Sequence, residues 1–140
     1  MTHHREDENM DLETFCIIVG VYEIMIGIPL MVKPLAAGRW LQGAMKEDAL
    51  LRSFCLLFLV LAVLVLTQGA SIGTDAAGLV RLLAWATALE CLVFCCWTNW
   101  ARAITIWFCD KAHWMRSLGI LATGIGVWLL KVSGSVAITG

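Results

Sequence analysis

Residues 55–66, CLLFLVLAVLVL, decide the fold. No side chain in this run carries a charge, an amide or a hydroxyl. The apolar stretch extends outward to Ala49 and Thr67, interrupted by Arg52 and Ser53. A helix that crosses the hydrocarbon core of a bilayer needs about 20 mostly apolar residues, and this segment meets that length. Three others do as well: Leu12–Val32, Gly78–Thr98 and His113–Val132. β-Barrel strands would instead give short segments of alternating polarity. The expected fold is therefore all-α: one membrane domain over residues 1–140 with four transmembrane helices. A polar N-terminal tail is expected over 1–11, a first helical hairpin over 12–67 and a second over 78–132.

The composition agrees. Of the 140 residues, 60% are hydrophobic and 15% charged, with a mean hydropathy of +0.81. A soluble domain carries about 25% charge, so the excess apolar surface needs lipid to bury it. The opening MTHHREDENMDLE is acidic, whereas a secretory signal begins basic. The first span is therefore expected to be a retained anchor. Nucleic acid is not an expected partner, because the net charge is −1 and phosphate binding needs clustered Lys and Arg.

Lys and Arg flanking the spans set the orientation. The 1–2 and 3–4 connections hold Lys33, Arg39, Lys46, Arg52, Arg102, Lys111 and Arg116; the other side holds Arg5, Arg81 and Lys131. Seven against three puts both connections on the cytoplasmic side of a bacterial inner membrane, or the matrix side of an organellar inner membrane, with both termini outward. Trp40, Trp97, Trp100, Trp107 and Trp114 lie near that same side and read as an interfacial aromatic belt. In RWLQGAMK (39–46), Trp40, Leu41, Ala44 and Met45 share one helical face opposite Arg39, Gln42 and Lys46. That pattern suits a short helix lying on the membrane, or an ordinary loop rich in anchors.

Two acids interrupt the apolar spans. Glu23 precedes Trp40 by seventeen positions, and Glu90 precedes Trp107 by the same seventeen. LRSF at 51–54 is then answered by MRSL at 115–118, with three fewer residues in the second connection. Two tandem hairpins of this plan would form a parallel repeat about an axis along the membrane normal. An ionised side chain at mid-membrane costs at least about 2.5–3.5 kcal/mol. Each Glu must then face protein or water, or be protonated. Glu23 lies ten residues from Lys33, about 15 Å deep at 1.5 Å per residue. Arg52 could reach Glu23, and Arg116 could reach Glu90. The functional reading is a proton relay or a polar pocket. The structural one is an interhelical hydrogen bond that pins the helices.

In Glu23, Pro34, Leu51 and Arg52 the first half resembles a two-helix bacterial inner-membrane family of unknown function. The whole chain is similar in plan to DoxX-like four-helix membrane proteins. The second half departs from the pattern, with Ala101 at the place equivalent to Pro34. The resemblance implies a fold, and it implies a subunit role, since some DoxX-like proteins belong to membrane redox assemblies.

The remaining residues carry little chemistry. Histidine occurs only at positions 3, 4 and 113, so no deep axial ligand for a buried haem is expected. His3 or His4 near a free amino terminus could wrap Cu(II) in square-planar nitrogen; a solvated tail is the ordinary reading. The six cysteines contain no CxxC pair and read as buried thiols, with Cys91 and Cys95 one turn apart and Cys55 near their depth. Arg81 is expected to snorkel to the outer interface. Gly20, Gly27, Gly119, Gly124 and Gly126 are expected to permit close helix approach. No intrinsic cofactor is expected beyond a bound lipid or quinone. The leading expectation is a non-catalytic accessory subunit of a larger integral-membrane complex of respiratory, photosynthetic or oxygenase type, with the bilayer and other membrane subunits as partners. The alternative is a small carrier or a lipid- or quinone-binding protein that uses Glu23 and Glu90.

Overall fold

The computed structural model describes the backbone of residues 3–138 and the side chains of residues 12–135. Six helices follow one another: α1 (His3–Val32), α2 (Pro34–Lys46), α3 (Asp48–Gln68), α4 (Ala76–Cys96), α5 (Thr98–Cys109) and α6 (Ala112–Ile138). Four of them, α1, α3, α4 and α6, are long and apolar enough to cross a membrane. The backbone of α1 is helical from His3, so the segment expected as a polar tail continues the first spanning helix. His3 and His4 themselves lie outside the described side chains, and the copper reading is untouched by the structure.

Local chemistry places the breaks. Lys33 stands before Pro34, and a residue before proline is disfavoured in helical geometry; its backbone leaves the helix at φ -134°, ψ 67°, and Pro34 opens α2. Proline suits the first turn of a helix because its missing N–H has no partner there anyway. Trp97 breaks the chain in the second half, so α4 ends at Cys96 and Thr98 begins α5, two residues before the expected end of the third span. Both 1–2 and 3–4 connections are thus helices rather than loops.

The spanning helices pair mainly across the two expected hairpins rather than within them. The main partner of α1 is α6, and the main partner of α3 is α4; α1 touches α3 little, and α4 touches α6 little. The reason lies in the connections. A helix of 13 residues carries the chain about 20 Å sideways before α3 begins, about twice the distance between packed helix axes. The short 69–75 connection instead folds α4 back onto α3.

The α1–α6 seam is built on glycine. A Cβ added to Gly20 would lie 3.0 Å from the Gly126 carbonyl oxygen, and one on Gly27 would lie 2.8 Å from the Thr123 backbone nitrogen. Gly119 and Gly126 mirror this, with a Cβ meeting the carbonyl oxygens of Gly27 and Gly20 at 2.8 and 2.7 Å. Close backbone approach maximises van der Waals contact, the main attraction between helices in lipid. Gly124 is not part of the seam: nothing lies within 4 Å of its added Cβ, and it faces outward. Where α3 meets α4 the small residues are alanines, with Ala62, Ala84 and Ala88 buried.

The main core fills the half of the bundle remote from α2 and α5. Phe15, Val19, Val65, Val80 and Leu129 meet there. At the other end a smaller cluster joins Leu30, Cys109 and Met115 beneath the connecting helices. Arg102 of α5 forms an ion pair with Asp48 at the start of α3. Gln42 of α2 donates a hydrogen bond to Asp110 at 3.3 Å.

Candidate functional site

The spanning helices α1, α3 and α4 leave a cavity of about 250 Å³ between them, closed towards the connections by α2 and α5. Each helix lends it one face. From α1 come Val19, Tyr22 and Glu23; from α3, Leu51, Phe54, Cys55 and Phe58; from α4, Thr87, Glu90, Cys91 and Phe94. These are i, i+3, i+4 and i+7 spacings, the rows that share one side of a helix. Leu41 and Met45 of α2, one turn apart, and Thr105 of α5 complete the lining.

Glu23 and Glu90 therefore share one chamber. Glu23 is half-buried; Glu90 is exposed at the chamber's edge on a spanning helix. Among the described residues neither carboxylate has a hydrogen bond or ion pair. The expected partners are elsewhere. Arg52 and Arg116 both point outward and are exposed, and no bond joins either to a glutamate. Each arginine sits one turn into its helix, close to the connecting layer, and neither lines the chamber. The interhelical hydrogen bonds expected of the acids are not formed either.

Aromatic rings make up much of the wall. Tyr22 and Phe58 pack with centroids 4.5 Å apart at 54°. Phe54 and Phe94 add two more rings. Thr105 spends its hydroxyl on the Ala101 carbonyl at 2.9 Å. The thiol of Cys55 lies within reach of Cys91 and Cys95, on the facing helix. Among the described residues no three His, Cys, Asp or Glu side chains are arranged to hold a metal ion.

Beside the chamber lies a larger apolar groove of about 780 Å³ between α1, α2 and the start of α3. Tyr22, Leu41 and Phe54 line both spaces and form the partition. Pro29 and Val32 line the groove, and Lys33 and Trp40 stand at its end nearest the connections.

The chain was compared with protein-family models, with curated proteins and with solved structures. None of them matches it.

The five tryptophans read as anchors, Trp40, Trp97, Trp100, Trp107 and Trp114, are all exposed. They belong to α2, α5, the α4–α5 junction and the first turn of α6, at one end of the bundle. Trp40 does not share the inward face of α2; Met45 is buried against the bundle while Trp40 is 67% exposed. Trp107 carries the Lys111 ammonium 3.5 Å from its ring centroid, a cation–π contact. Arg81 has a role on the chain itself. It packs across Gly69 and donates to Ser71 at 3.4 Å, tying down the 69–75 connection.

Sequence reasoning singled out the two acids but not their setting. It missed Tyr22, Phe54, Phe58, Thr87, Phe94 and Thr105. The signal was present in the period: Leu51–Phe54–Cys55–Phe58 and Thr87–Glu90–Cys91–Phe94 are matching stripes. Nothing in the sequence alone said that these two stripes face each other.

Proposed function

We propose that this chain is a membrane-embedded binding protein or small carrier that takes up an amphiphilic ligand between Glu23 and Glu90. One observation carries the reading: two acids far apart in sequence line a single cavity and, among the described residues, have no bonding partner. If they served only to pin helices, each would be satisfied by a neighbour, since an unpaired polar group in apolar surroundings costs stability and adds nothing. The adjoining apolar groove supplies room for a hydrocarbon tail. The equal Glu-to-Trp spacing supports a tandem repeat, in which Glu23 and Glu90 are equivalent positions of the two halves. The basic connections support a cytoplasmic or matrix side for α2 and α5. The test is native mass spectrometry of the chain released from nanodiscs. A retained small molecule in the wild type that is lost in a Glu23→Gln, Glu90→Gln double variant is the expected result. Identical ligand occupancy in both proteins, or none in either, would remove the reading.

A second reading is the accessory subunit of a larger membrane complex. It is favoured by the exposure of Glu90 on a spanning helix, because a partner seated there would shield the acid from lipid. The similarity in plan to DoxX-like proteins supports the same role.

A further inference from the structure

Resting on the cavity reading above, we propose that the ligand is a compact lipophilic cation, such as a protonated aryl amine or an aryl quaternary ammonium. Any charge the chamber's lining carries is negative. Two carboxylates line it, and no Lys, Arg or His does. Lys33, between α1 and α2, lines the groove beyond the partition, and Arg52 of α3 faces outward. A phosphate or carboxylate headgroup would meet like charge on both sides, with nothing to neutralise it. A cation would instead supply the counter-charge that the chain withholds from Glu23 and Glu90. Uncompensated charge is costly in a membrane interior, so this gain is large there and small in water.

The walls make a second, independent case. Tyr22, Phe54, Phe58 and Phe94 line the same space. The tilted Tyr22–Phe58 pair is in mutual contact and forms one continuous aromatic part of this wall. Aromatic faces attract ammonium groups, more strongly when water is excluded. A neutral apolar guest would gain the contact area alone. Acids plus rings, without a base, therefore select by charge as well as by size. The volume of about 250 Å³ limits the guest to a single small ring with its ammonium group.

The experiment uses the full chain in nanodiscs. Phenyltrimethylammonium, radiolabelled, is the probe; empty nanodiscs supply the background. Its neutral isostere tert-butylbenzene and the neutral decylubiquinone are competitors. Saturable binding is expected, at about one probe per chain. The isostere should compete at least about tenfold less well, a difference of about 1.4 kcal/mol. Glu23→Gln or Glu90→Gln should each weaken the probe about tenfold, with Glu23→Asp retaining more affinity than Glu23→Gln. Equal competition by the neutral isostere overturns the cation assignment and leaves the cavity reading standing. Saturable quinone binding that is unaffected by Glu→Gln, with no probe binding, does the same. Absence of saturable binding by all three compounds overturns both. The competition in the wild-type protein decides the matter even where a variant fails to fold.

Discussion

Glu23 and Glu90 are half-buried and edge-exposed respectively, and neither has a partner among the described residues. Removing their charge should therefore not loosen the bundle. Glu23→Gln and Glu90→Gln are each expected to leave thermal stability unchanged or to raise it by up to about 2 kcal/mol, since an unpaired charge is removed. Melting followed by circular dichroism in detergent checks this; a loss above about 1 kcal/mol would show that the acids hold helices together. Cys109 gives a prediction outside the spans. Burial pushes its thiol up, and the adjoining Asp110 carboxylate pushes it further the same way. The reactive form is the thiolate, so at pH 8 Cys109 should label more slowly than a free thiol. Its labelling should climb as pH rises above the usual thiol range. Asp110→Asn removes the smaller of the two causes and should speed labelling severalfold, as read by mass spectrometry of the tryptic peptide. An unchanged rate would show that burial alone governs it.

At the scale of the helices, the α1–α6 seam is the most tightly specified contact. Gly27→Leu would drive a side chain into the Thr123 backbone and the Gly119 carbonyl. Overpacking of this kind costs about 1–3 kcal/mol, and size-exclusion and melting profiles should show it. Gly124→Ala, on the open side of the same helix, should leave both profiles unaltered. The four spans were legible in the sequence because apolar runs of bilayer length have no other common use. Their pairing was not. Glycines on α1 and α6 and alanines on α3 and α4 were all visible, but small residues announce a close neighbour without saying which helix it is. The Glu–Arg pairs failed for a related reason. Depth along a helix can be counted from the sequence, whereas azimuth about its axis depends on packing, and Arg52 and Arg116 turn outward. The chamber was legible only in its acids, because its walls come from five helices whose arrangement is a long-range property.

For the whole molecule, the accessory-subunit reading makes a distinct prediction. In a mild detergent the chain should migrate with partner proteins, and mass spectrometry should find them in fixed ratio. Migration alone as a monodisperse species would argue against that role and leave the binding reading intact. Glu90 offers a further check: a partner that shields it should protect a Glu90→Cys variant from a maleimide in the native membrane but not after purification. The seam between α1 and α6 has one more implication. Of the six helices, α1 leaves the ribosome first and its main partner leaves last. Until α6 inserts, the glycine face of α1 has only lipid against it. Assembly of the bundle thus waits on the synthesis of α6, and the α3–α4 pair, joined by a short link, can settle beforehand as a nucleus against which the outer pair closes.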